Sequence, residues 1–135
     1  MIAELTRKKI LLADDDRDDI QFFIDFLGNR RDINVLACVS NGVEVLAYLN
    51  QVTRLEEWPD VIILDQNMPR KTGTETLELI QSKNWLAPAS CVIYSTHIGP
   101  ELIQEGKQLG AKLVKAKPVS EEGYNEMMDE ILAVC

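Results

Sequence analysis

The 135-residue chain is short of most features that would assign a function class at once. Its three cysteines, Cys38, Cys91 and Cys135, are far apart, odd in number and form no CxxC pair. That pattern points to free thiols in a reducing compartment rather than a disulfide framework. No apolar run approaches the ~20 residues that a membrane span needs. The basic residues near the N-terminus precede an apolar run too short for a signal peptide, and that run ends in three acids. A cytoplasmic protein without a membrane partner is therefore expected. Basic residues are also in deficit, with 14 Lys and Arg against 22 Asp and Glu and a formal net charge of −8. Such a surface repels phosphate backbones, so no nucleic-acid partner is expected. There is no internal repeat, no low-complexity segment and no second apolar unit. One domain over 1–135 is the simplest reading.

What is present is alternation. Ile10 to Ala13 is a short apolar run that stops at acids, as a buried strand would. Ile20, Phe23, Ile24 and Leu27 then recur at helical spacing, and Gly28 and Asn29 punctuate the end. Val35 to Val39 reads as a second strand, followed by a helix carrying Val45, Leu46 and Leu49. Thr53 to Pro59 is polar and reads as a surface connection. Val61 to Leu64 is a third strand, rich in β-branched residues. Thr72 to Lys83 reads as a helix, Cys91 to Tyr94 as a strand and Glu101 to Leu109 as a helix stopped by Gly110. Leu113 to Ala116 is a fifth strand. Ser120 opens a last helix whose stripe is Tyr124, Met127, Met128 and Ile131. Alternating βα units of this kind give a doubly wound α/β parallel sheet with right-handed crossovers. Ligands in such sheets bind beyond the carboxyl ends of the strands.

Polar residues stand at those ends. The first strand runs into Asp14, Asp15 and Asp16, the third into Asp65, the fourth into Ser95 and Thr96, and the fifth into Lys117. Each has an ordinary reading when taken singly. Acids favour a helix N-terminus, Asp before Asn and Pro is common in turns, and Ser or Thr caps helices. Asp18 and Asp19 read as first-turn acids of that kind. Together at one rim, the carboxylates repel one another, and a divalent cation removes the conflict. Oxygen ligands suit Mg²⁺, which also grips phosphate oxygens. A carboxylate is a nucleophile toward phosphorus, and an ammonium and a hydroxyl stabilise the transferring charge.

The motifs ILLADDD at 10–16, VIILDQNMP at 61–69, VIYST at 92–96 and KP at 117–118 resemble the receiver domain of two-component response regulators. Ser95 lies 30 positions after Asp65, and Lys117 lies 22 positions after Ser95, as in that family. The resemblance covers nearly the whole chain. It implies a (βα)₅ five-stranded sheet of the flavodoxin or CheY type, with strand order 2-1-3-4-5. It implies a stand-alone receiver without an output domain, and a signalling switch rather than a conventional enzyme. Asp65 would be the phosphoacceptor. Mg²⁺ would be held by Asp15, Asp65 and the backbone carbonyl of Asn67, with Asp14 acting largely through water. Ser95 would be the switch hydroxyl, Thr96 its small neighbour, and Lys117 the phosphoryl contact. The Lys117–Pro118 bond would be cis. Asn67 and His97 occupy the positions that tune aspartyl-phosphate lifetime. The donor would be a histidine kinase or a histidine phosphotransfer protein, and the output a protein contact or onward phosphotransfer. A homodimer is left open.

Two departures stand out. The family's aromatic three residues before the lysine is Val114 here, and Tyr94 is not an obvious substitute. The segment Thr53 to Pro59 lengthens the approach to Asp65. Two other readings compete. A haloacid-dehalogenase-type phosphatase would need a DxD on its first strand and the acidic pair late in the chain, which is not the order here. A receiver fold that never turns over phosphate would usually lack a key residue, and none is missing.

Overall fold

A computed structural model describes residues 7–86 and 88–135. Ten elements alternate: β1 (Lys8–Ala13), α1 (Arg17–Leu27), β2 (Ile33–Val39), α2 (Gly42–Gln51), β3 (Val61–Asp65), α3 (Gly73–Ser82), β4 (Ser90–Ser95), α4 (Pro100–Gln108), β5 (Leu113–Ala116) and α5 (Glu121–Val134). The strands form one sheet in the order β2-β1-β3-β4-β5, with every neighbouring pair parallel. This is the expected topology. The approach to β3 holds a single 3₁₀ turn, Leu55–Glu57.

Side chains alternate across the sheet and build two cores. Leu11, Ala13, Ile62, Leu64, Cys91 and Ile93 pack on one face against Val45, Leu49, Leu77 and Ile80. Ile10, Leu12, Val61, Ile63, Val92 and Tyr94 pack on the other against Phe23, Leu27, Tyr124, Met127, Met128 and Ile131. β1, β3 and β4 are buried on both faces, which explains why they read as continuous apolar runs. Phe23 and Leu27 are buried as expected, but Ile24 is exposed and lines an open groove with Val35 and Cys38 of β2. No described helix is long and apolar enough to cross a membrane.

Caps fix where the helices begin. Asp16 receives the N–H groups of Asp18 and Asp19 at the head of α1. Thr72 and Glu75 form a reciprocal capping box on α3. Ser120 caps α5 through Gly123. After α4 the chain turns at Gly110, whose φ of 100° is left-handed and costs glycine little. Gly73 matters more to function. A Cβ there would meet the Asp65 carbonyl oxygen at 2.8 Å and Gln66 Cα at 3.1 Å. The absence of a side chain lets the head of α3 sit against the end of β3. Gly73→Ala is expected to lower unfolding stability by about 1–3 kcal/mol. Urea denaturation checks this, and an unchanged midpoint would contradict the close approach.

Candidate functional site at the carboxyl rim of the sheet

β1, β3, β4 and β5 end side by side, so the polar residues that follow them meet at one rim. Asp14 is fully buried, Asp65 is 2% exposed and Ser95 is 1% exposed. Asp15 is exposed. One carboxylate oxygen from each of Asp14, Asp15 and Asp65 lies within 4.8 Å of the others. Lys117 Nζ reaches across the rim. It stands 3.2 Å from Asp65 Oδ2, 3.2 Å from Asp14 Oδ2 and 2.8 Å from Asp19 Oδ2. Three carboxylates therefore share one ammonium and Asp15 adds a fourth beside them, an oxygen-rich and under-neutralised set that suits a hard cation such as Mg²⁺. Such a cation would supply charge neutralisation and a grip on phosphate oxygens.

The remaining contacts fix orientation. The Lys117 N–H donates to the Ser95 carbonyl at 2.9 Å, tying the β5 exit to the β4 end. The Asp16 N–H donates to Asp14 Oδ1 at 2.9 Å. The Asn67 N–H donates to Asp65 Oδ1 at 3.2 Å, and Asn67 Nδ2 lies 3.5 Å from Ser95 Oγ. Thr96 and His97 follow β4 on the exposed side of the rim.

The electrostatics follow from burial. Desolvation pushes the Asp65 carboxyl up to about 7, and the Asp14 charge adds to this while Lys117 opposes it. Burial works against the Lys117 charge, but Asp19, Asp14 and Asp65 together hold its pKa above the ordinary lysine value.

Three findings differ from or add to the sequence reading. The Lys117–Pro118 bond is trans, and no described peptide bond is cis. Trans is the lower-energy isomer of an X–Pro bond, and Lys117 reaches both Asp14 and Asp65 with it. Asp19 is more than a first-turn acid, because it makes the shortest contact to Lys117. Tyr94 also belongs to the site. Its hydroxyl donates to Asp14 Oδ2, and its ring faces Lys117 Nζ at 5.1 Å. Tyr94 packs on the α1/α5 face, whereas Val114 packs on the opposite face. Tyr94 therefore does not stand in for the missing aromatic. At Val114, α4 comes in close, since a Cβ on Gly106 would lie 2.7 Å from Val114 Cγ2.

The fold and rim together define a doubly wound α/β protein with an acidic, lysine-containing cluster at its strand ends. The model of the response regulator receiver domain family matches residues 10–129, and the chain belongs to that family. Phosphorylation on an aspartate is general to the family. The chain is 34% identical over 113 residues to protein-glutamate methylesterase/protein-glutamine glutaminase 1 of Pseudomonas savastanoi pv. phaseolicola. The match covers 82% of this chain but 29% of that protein, so the chain spans under a third of that relative's length. Among solved structures it resembles the phosphorylated cyanobacterial phytochrome response regulator RcpA, with a TM-score of 0.77 at 30% identity, covering 93% of this chain and 91% of that one. It also resembles the chemotaxis response regulator CheY4 of Vibrio cholerae, with a TM-score of 0.78 at 28% identity, covering 93% and 99%.

Proposed function

We propose that this chain is a phosphoacceptor switch in which Asp65 takes a phosphoryl group from a histidine kinase or a histidine phosphotransfer protein. The observation that carries the reading is Lys117 Nζ lying within hydrogen-bond reach of both Asp14 and Asp65 in a cluster with excess carboxylate. A carboxylate oxygen of Asp65 attacks phosphorus as the P–N bond of the donor phosphohistidine breaks, and the leaving imidazole takes up a proton. Lys117 stabilises the charge on the phosphoryl oxygens, and the Ser95 hydroxyl donates a hydrogen bond to one of them. Asp15, Asp65 and the Asn67 carbonyl would hold Mg²⁺, with Asp14 acting through water. Thr96 lines the entrance beside Ser95.

The phosphorylated protein then signals by contact with another protein or by onward transfer. The change at Asp65 biases the surface made by α4, β5 and α5 between two states. A second copy of this chain is one partner that this surface could take. The placement stays cytoplasmic, beside the donor proteins. Incubation with acetyl phosphate and Mg²⁺ tests the reading. Intact-mass spectrometry is expected to show a single added phosphoryl group, and a chain that takes up none would refute it.

Asn67 and His97 are exposed two positions beyond Asp65 and Ser95, where they would tune how fast water reaches the aspartyl-phosphate. His97→Ala is expected to change the autodephosphorylation rate several-fold while leaving stability near wild type. A decay rate equal to wild type would remove His97 from that role.

A further inference from the structure

The hydroxyl of Tyr94 reaches the site from a side chain whose ring is part of the core. Tyr94 is fully buried and packs among Val92, Ile63 and Tyr124 on the α1/α5 face. Its length carries the hydroxyl from the end of β4 up to Asp14. Asp14 is fully buried too, so its charge is compensated only by what the protein provides. Oδ1 accepts from the Asp16 N–H and faces Lys117 at 3.4 Å. Oδ2 accepts from Tyr94 and faces Lys117 at 3.2 Å. The ring of Tyr94 also lies against the same ammonium.

We propose that Tyr94 sets the divalent-cation affinity of the acidic site, by donating its hydroxyl to Asp14 and so taking up charge that a cation would otherwise neutralise. The inference rests on the phosphoacceptor reading of the site, and it concerns tuning rather than the transfer itself. Removing the hydroxyl has two opposing consequences. Asp14 loses an orienting contact, which would weaken cation binding. Asp14 also loses charge compensation, which would strengthen it. The Asp16 N–H and Lys117 still hold the carboxylate when the tyrosine hydroxyl is gone, so orientation is largely kept. The electrostatic consequence therefore dominates. Tyr94 acts through Asp14 and is a positioning residue.

Tyr94→Phe keeps the ring and deletes only the donor. Mg²⁺ titration by calorimetry is expected to show binding about tenfold tighter than wild type, the scale of a hydrogen bond to a charged group. Without metal, the same variant is expected to melt at a lower temperature, with Mg²⁺ restoring more of the loss than it adds to wild type. In an Asp14→Asn background the substitution is expected to leave Mg²⁺ affinity unchanged, because no charge remains there for the hydroxyl to offset. A role in packing alone would lower the melting temperature without moving the Mg²⁺ affinity, and that result overturns the proposal. So does weaker Mg²⁺ binding by folded Tyr94→Phe, or an equal gain in the Asp14→Asn background. Wild-type protein that binds no Mg²⁺ would refute the metal reading of the site itself, and it is told apart by the wild-type titration alone.

Discussion

Asp65→Asn is expected to take up no phosphoryl group from acetyl phosphate under conditions that load the wild type. The amide is not a nucleophile toward phosphorus, and two of the neighbouring acids are already engaged. Asp14 is fully buried with its oxygens engaged by Tyr94, Lys117 and the Asp16 N–H. Asp16 is spent as the cap of α1. The substitution has a second consequence that needs no phosphate. Burial raises the Asp65 pKa to about 7 in the folded protein, above its unfolded value. Between about pH 4 and pH 7 the native state thus holds a proton that the unfolded chain has released. Stability from this group is present at low pH and is lost as pH rises through 7. Asp65→Asn escapes that loss. Without metal it is expected to be more stable than wild type at pH 8 and no more stable at pH 4. Urea melts at the two pH values check the sign, and a larger gain at pH 4 would contradict it.

Lys117→Met is expected to have the largest effect on the resting site. It removes the only ammonium among the described residues in contact with Asp14, Asp19 and Asp65 and leaves two buried carboxylates facing each other. Breaking a buried pair in this way costs about 3 kcal/mol, with protonation of Asp65 limiting the loss at neutral pH. The loss is expected to grow as pH rises above 7, because without Lys117 the folded variant holds the Asp65 proton to a higher pH than wild type and goes on losing stability where wild type no longer does. Saturating Mg²⁺ is expected to recover most of it, since the cation neutralises the same charges. Phosphoryl uptake is expected to fall by about a hundredfold even with Mg²⁺, because one donor to the transferring group is gone. A variant with wild-type stability in metal-free buffer would show that the ammonium does not neutralise the pocket.

Much of this was legible in the chain. The five strands appear as apolar runs because β1, β3 and β4 are buried on both faces. Strand and helix ends moved by a residue or two, as at β2, which begins at Ile33 rather than Val35. The rim residues Asp14, Asp15, Asp65, Ser95 and Lys117 were found because strand ends in an open α/β sheet share one edge. Asp19 reads from sequence only as a first-turn acid, although the phase of α1 carries the signal. It shares a stripe with Phe23 and Leu27, which are buried, and so it turns toward the sheet. Asp18 has the phase of Phe22, which is exposed. Tyr94 was set aside as a switching aromatic, and the structure agrees, since it lies on the opposite face from Val114. Its hydroxyl was the missed clue, because a buried tyrosine needs a polar partner and the nearest strand end supplies Asp14. The trans bond before Pro118 was not readable from spacing, because either isomer fits the sequence Lys-Pro.

The most direct test traps the modified residue. Wild-type protein loaded with acetyl phosphate and Mg²⁺ is reduced with borohydride, which converts an aspartyl-phosphate to homoserine. Peptide mass spectrometry then reads the position. Homoserine at position 65 alone, and only when Mg²⁺ was present, is the expected result. Homoserine at 14, 15 or 16, or none anywhere, would contradict the assignment of Asp65 as the phosphoacceptor.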